Sequence, residues 1–133
     1  RGVVIEVHAT RYHLALHFLR CYARFAMTPA NKKLGVLLST GPEHANLDVA
    51  VGLGQAALAA GTDLYLYLID DGVRALDDPR IRALPERGAK LFVCAYGCQK
   101  RRIPLEDSEH VTYCGLVVLT DLINATDRFI ALN

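Results

Sequence analysis

From Lys33 onward, apolar and mixed segments alternate with a regularity that suggests a sheet and its covering helices. Leu34–Ser39 (LGVLLS), Asp63–Asp70 (DLYLYLID) and Ala89–Cys94 (AKLFVC) are short, nearly continuous apolar runs. Such runs mark strands buried on both faces of a parallel sheet. Val111–Tyr113 gives a brief further strand and Arg128–Leu132 a last, apolar one. Between the first two runs, Leu47, Ala50, Val51, Gly54, Ala57, Leu58 and Gly61 recur at helical spacing. That stripe predicts a helix over 46–60, with small residues that let it lie close to a sheet. Gly61 ends it in the left-handed conformation that a missing Cβ permits. Residues 95–102 read as a short helix halted by Pro104, and 115–125 as a longer one. Val73–Arg87, polar and carrying Pro79 and Pro85, reads as an exposed loop with a short helix around Arg80–Leu84. Alternating strands and helices predict one α/β domain over 31–133, with a mostly parallel sheet of about five strands and helices on both faces.

Residues 1–30 stand apart as an N-terminal extension. Within 1–26 there are four arginines and one acid, Glu6, together with three of the five histidines. Tyr12, Ala15, Leu16, Leu19 and Ala26 gather on one side of a helical wheel, and His13, His17, Arg20 and Arg24 on the other. An amphipathic helix from Thr10 to Ala26 is the expectation. Three readings of it stand open: a docking helix, a targeting sequence, or a translated stretch upstream of a start at Met27. His13 and His17 lie one turn apart, but without a third ligand nearby a solvated face is the preferred reading.

Composition narrows the function classes. In 133 residues, 52% hydrophobic and 22% charged, there is material for one self-sufficient core. A formal net charge of +1 and the absence of Trp leave no electrostatic footprint for nucleic acid. No apolar run reaches the length of a membrane span. The four cysteines, Cys21, Cys94, Cys98 and Cys114, are too few and too unevenly spaced for a secreted disulfide scaffold, so a reducing, cytoplasmic setting is expected.

In open α/β sheets, reactive groups collect where strands run into helices. The first such loop, Ser39–His44, has one glycine and no lysine, so it is neither a phosphate-binding loop nor a dinucleotide fingerprint. The second, Asp70-Asp71-Gly72, offers paired acids for Mg²⁺, but acids before glycine are ordinary turn formers and the turn reading is preferred. The third is Cys94-Ala95-Tyr96-Gly97-Cys98-Gln99-Lys100-Arg101-Arg102. Cys94 closes a strand just before a helix begins, where free backbone N–H groups and nearby Lys100, Arg101 and Arg102 favour a thiolate. It is the best nucleophile candidate in the chain; its alternative is a small buried hydrophobe. Cys98, one turn on, is a resolving thiol or a packed helix residue, and the packed reading is preferred. Cys114, at the start of the later helix, is a second thiol near the same rim or simply core, and the core reading is preferred. His44 would tune Cys94 only if the first and third strands adjoin. Cys94, Cys98, Cys114 and His110 contain one short Cys pair where structural zinc sites use two, so no metal is assigned, and no cofactor.

The run LFVCAYGCQKRRIP, followed by TYCGLVVLTDLINATDRFIALN, resembles the DsrE/DsrF family, to which TusD subunits of bacterial sulfur relays belong. LGVLLSTGP and the Ala-rich helix after it resemble the family's opening strand and helix. The resemblance covers about residues 33 to 133 and leaves 1–30 unmatched. It implies that Cys94 occupies the sulfur-accepting position, carrying sulfane sulfur as a persulfide between donor and acceptor proteins. It further implies assembly as a homo-oligomer (trimer or hexamer) or a hetero-oligomer with paralogous subunits. Cys98 departs from the TusD pattern. The expected function is therefore a sulfurtransferase-type sulfur carrier using Cys94, with Cys98, His44, Lys100 and Arg101 as accessory candidates. Its rivals are a non-catalytic oligomeric binding module and a thiol redox protein using Cys94 and Cys98.

Overall fold

The computed structural model describes residues 3–7 and 29–133. Six strands, β1 (Val3–Val7), β2 (Lys33–Leu38), β3 (Asp63–Leu68), β4 (Lys90–Cys94), β5 (Val111–Cys114) and β6 (Arg128–Leu132), form one sheet in the order β1-β6-β2-β3-β4-β5. Every neighbouring pair is parallel. Helices α1 (Asn46–Ala59), α2 (Pro79–Ala83), α3 (Ala95–Lys100) and α4 (Leu116–Ala125) connect them.

The topology follows from the handedness of the connections. From β2 to β5 the chain steps across the sheet in one direction, and right-handed crossovers put the intervening helices on one face. The return from β5 to β6 passes back over β4, β3 and β2, so the same rule sends α4 to the opposite face. Side-chain alternation agrees. Leu34, Val36, Leu38, Leu64, Leu66, Leu68, Leu91 and Val93 point to the α1 side and form the densest part of the core. On α1, an added Cβ at Gly54 would sit 3.0 Å from Leu64 Cδ2, which is how closely the small-residue stripe lets the helix approach. Gly61 follows α1 at φ +77°, the left-handed cap expected of it.

Gly35, Tyr67 and Phe129 point to the other face, where a Cβ on Gly35 would strike the Phe129 ring at 2.4 Å. Asp127 ties the entrances of two strands together there: its carboxylate accepts from Lys33 N–H at 2.7 Å, and its own N–H donates to the Lys33 carbonyl at 2.9 Å.

Three sequence expectations change, and a fourth falls outside the described residues. Val3–Val7, placed within the N-terminal extension, is a sixth strand paired with β6 along its whole length. The expected helix over 10–26, with His13, His17 and Cys21, lies outside the described residues. Residues 73–87 are not an exposed loop: 3₁₀ turns at Asp70–Asp77 and Pro85–Arg87 flank α2, and Val73, Ala75, Leu76, Ile81 and Leu84 are buried. Their sparse apolar positions plug the core under β3 and β4, while Asp78 caps α2 by accepting from Arg80 N–H at 2.8 Å. Finally, α3 stops before Pro104 acts. Arg102 takes φ +55°, its N–H donates to Gln99 O, and Ile103 N–H donates to Cys98 O, the paired bonds of a Schellman ending.

Candidate functional site

Cys94 is the last residue of β4 and the N-cap of α3. Its Sγ accepts from the Gly97 N–H at 3.4 Å, so the thiol faces the free amides of a helix start, as the strand-to-helix sequence requires. Gly97 permits this close turn. A Cβ there would lie 3.1 Å from Val73 Cγ1, in the 3₁₀ segment below.

The thiol is 5% exposed and forms part of the floor of a cleft of about 360 Å³. Ile69 and Asp70 just after β3, Tyr96, Gly97 and Lys100 of α3 with its C-cap Arg101, and Gly115 and Leu116 at the start of α4 complete its walls. The cleft therefore sits at the carboxyl ends of β3, β4 and β5, where the fold gathers its loops. Asp70 holds φ +51° at this rim, and Asp71 pairs with Arg101 Nε at 2.9 Å. The two acids thus act as turn and ion-pair residues. Among the described residues no group of three or more His, Cys, Asp or Glu side chains converges as a metal site.

Of the accessory candidates, Lys100 and Arg101 line the cleft with Cys94. Arg101 also donates to Gly97 O at 3.3 Å, bracing the turn that supports the thiol. Lys100 Nζ lies 5.5 Å above the Tyr96 ring, and that ring is 64% exposed at the mouth. Cys98 is fully buried and is no part of the cleft wall; burial pushes its thiol up, with the Cys94 sulfur adding to the effect and Arg101 opposing it. His44 is not brought near Cys94, because β3 lies between β2 and β4. Its Nδ1 instead accepts from Asn46 N–H at 3.2 Å in the first loop.

Beside the cleft, Cys114 and a residue that the sequence did not single out, Tyr67, come close to Cys94. Cys114 ends β5, rather than beginning a helix, and is the register partner of Cys94. Tyr67, on β3, has no exposed surface; its hydroxyl donates to Gly115 O at 3.1 Å and interacts electrostatically with the Cys114 and Cys94 thiols. Burial, reinforced by the two thiols, pushes the phenol far above its ordinary value, so it stays protonated. Burial also pushes the Cys114 thiol up, partly offset by the Tyr67 hydroxyl. The available signal was a pair of tyrosines, Tyr65 and Tyr67, in a strand that reads as buried, since a buried hydroxyl needs a partner.

With this geometry in hand, comparisons with known proteins fix the family. No curated protein sequence matches the chain. The fold is similar to that in the crystal structure of the ychN protein from E. coli, with a TM-score of 0.61 at 19% identity, covering 77% of this chain and 99% of that one. Residues 32–132 match the family model described as the DsrE/DsrF-like family, the whole span from the start of β2 to the end of β6. The chain belongs to the DsrE/DsrF-like family.

Proposed function

We propose that the protein is a sulfur carrier that takes up sulfane sulfur on Cys94 and passes it to a partner thiol. The observation that carries this reading is the position of Cys94: a thiol at a strand end, capping a helix, on the floor of an open cleft rimmed by Lys100 and Arg101. In the uptake step the Cys94 thiolate attacks the terminal sulfur of a donor persulfide. A bond forms from Cys94 Sγ to that sulfur, the donor's S–S bond breaks, and the donor leaves as a thiolate. The Gly97 N–H, already directed at Sγ, and the neighbouring free amides balance negative charge on the sulfur. Lys100 and Arg101 draw in acidic donor and acceptor proteins.

The family likeness supports sulfur-relay chemistry in general and assembly with further subunits, the same chain or paralogues. Exposed Leu116 and Val117 at the start of α4, 61% and 76% accessible, offer apolar surface beside the cleft for such a contact. No helix among the described residues is long and apolar enough to cross a membrane. Free thiols at Cys94, Cys98 and Cys114 fit a reducing compartment, and we place the protein in the cytoplasm.

The test is sulfur uptake from thiosulfate through a rhodanese, followed as loss of cyanide-labile sulfur from the donor. The wild-type chain is expected to draw sulfur from the donor and Cys94→Ser to draw none. Equal uptake by both would sink the reading. The burial of Cys94 favours one rival, a binding module with an inert cysteine. That rival predicts no uptake together with iodoacetamide labelling that stays slow at neutral pH.

A further inference from the structure

Cys94 and Cys114 close adjacent parallel strands at the same register. Register partners in neighbouring strands sit about 4.8 Å apart, and their side chains leave the sheet on the same side. That spacing falls within the roughly 4.4–6.8 Å between Cα atoms over which disulfides form. Both thiols interact electrostatically with the buried Tyr67 hydroxyl, in keeping with two sulfurs on the same side of neighbouring strand ends. Gly115, next to Cys114, also lines the cleft. Cys98, the nearer cysteine in sequence, is sealed in the core, whereas Cys114 is only partly buried.

We propose that Cys114 is the resolving thiol of this site: it discharges sulfane sulfur held on Cys94 as hydrosulfide and closes a cross-strand Cys94–Cys114 disulfide. The step rests on the carrier reading above. The Cys114 thiol loses its proton to solvent, and its sulfur attacks Cys94 Sγ. The Sγ–Sγ bond forms, the bond from Cys94 Sγ to the sulfane sulfur breaks, and that sulfur leaves with the electron pair as hydrosulfide. The sulfane sulfur is reduced by two electrons while two cysteines are oxidised to a disulfide. A dithiol reductant, small or protein-borne, returns the pair to thiols. The protein thereby becomes a reductive outlet for sulfane sulfur as well as its carrier.

The test loads reduced full-length protein with sulfane sulfur from thiosulfate and rhodanese without air, then measures released sulfide and digests the chain with trypsin under non-reducing conditions. Cys94 and Cys98 fall on one peptide, 91–100, and Cys114 on another, 103–128, so a disulfide within the first is distinguished from one that joins the two. The wild type is expected to release about one hydrosulfide per chain and to yield the joined peptides. Cys98→Ser should do the same, which excludes Cys98 as the joined residue. Cys114→Ser should retain a persulfide on Cys94 and release at least about tenfold less sulfide. A stable persulfide on Cys94 in wild type and Cys114→Ser alike overturns this inference and leaves the carrier reading standing, whereas extra sulfur found on Cys114 and not on Cys94 overturns both. No sulfur on Cys94 in Cys114→Ser, with the variant folded, fails the carrier reading and this inference with it. Cys114→Ala serves as a second variant, and the wild-type digest decides the matter should neither variant fold.

Discussion

Replacing Tyr67 by Phe removes one oxygen from a fully buried ring and leaves the rest of the packing in place. The lost hydroxyl donates to Gly115 O at 3.1 Å and interacts electrostatically with the two thiols. Gly115 is exposed, so water takes over at its carbonyl, and thiols are weak hydrogen-bonding groups. The net loss is therefore that of a single ordinary hydrogen bond, about 1 kcal/mol, without a cavity term. For a domain of this size that lowers Tm by roughly 3–5 °C. Tyr65→Phe is the control: its hydroxyl meets only Lys90 Nζ at 3.4 Å on the surface, and its removal should stay within about 0.5 kcal/mol of neutral. A second readout separates chemistry from simple loosening. The Tyr67 hydroxyl favours the Cys114 thiolate, so its loss should slow alkylation of Cys114 about fivefold, the equivalent of the same hydrogen bond. A merely loosened floor would instead admit the reagent and speed the reaction. Thermal unfolding and peptide-resolved iodoacetamide kinetics measure both quantities. Unchanged Tm together with unchanged or faster labelling of Cys114 would refute the idea that the hydroxyl organises the two thiols.

Three further outcomes follow from the same geometry. Gly72→Ala places a Cβ 2.0 Å from the Leu38 carbonyl oxygen, a backbone atom that cannot move aside, and should cost about 2–3 kcal/mol in urea unfolding; a neutral result would show that the 3₁₀ segment is not anchored as described. Asp78 is held below the usual carboxylate range, first by the Arg80 side chain, so its contribution is present above the unfolded carboxylate value and is lost as pH falls through the lower folded one. Asp78→Ala should cost about 1 kcal/mol at pH 7 and flatten the acid limb of the stability curve, and an unchanged limb would contradict the cap. Burial raises the Cys114 thiol, so its alkylation should be slow at neutral pH and still climbing above pH 9, where a plateau below about pH 8 would be inconsistent with that burial.

Much of the fold was legible because its strands are buried on both faces. LGVLLS, DLYLYLID and KLFVC carry no polar interruptions of the kind a surface strand needs, and their boundaries fall within two residues of the expected ones. Helix α1 was equally plain, since its small residues and Gly61 mark both the packing face and the stop. The Val3–Val7 run has the β-branched character of the other strands, but the basic composition of residues 1–26 sets the segment apart as an extension, with a helix expected only from Thr10 and no element at 3–7. In 73–87, two prolines and many charges outweighed Val73, Leu76, Ile81 and Leu84, whose spacing fits short 3₁₀ and helical turns and no longer period.

At the site, Cys94 could be found from chain order alone because the chemistry of a strand-to-helix turn is local. Tyr67 could not, and Cys114 could be offered only as core or as a second thiol near the same rim. Their meeting depends on β3, β4 and β5 being neighbours in matched register, and strand order is written in no single segment. The same order separates His44 from Cys94, since β3 occupies the place between β2 and β4 that the accessory role of His44 required to be empty.

The central claim is that sulfane sulfur resides on Cys94, and the most direct measurement locates it. The Cys114→Ser protein, loaded from thiosulfate and rhodanese and blocked with an alkylating reagent, would be digested and peptide 91–100 fragmented. The account predicts one added sulfur, removable by reductant, on the fragment ions that contain Cys94 and exclude Cys98. Added sulfur confined to Cys98, or none on this peptide in folded protein, would contradict it.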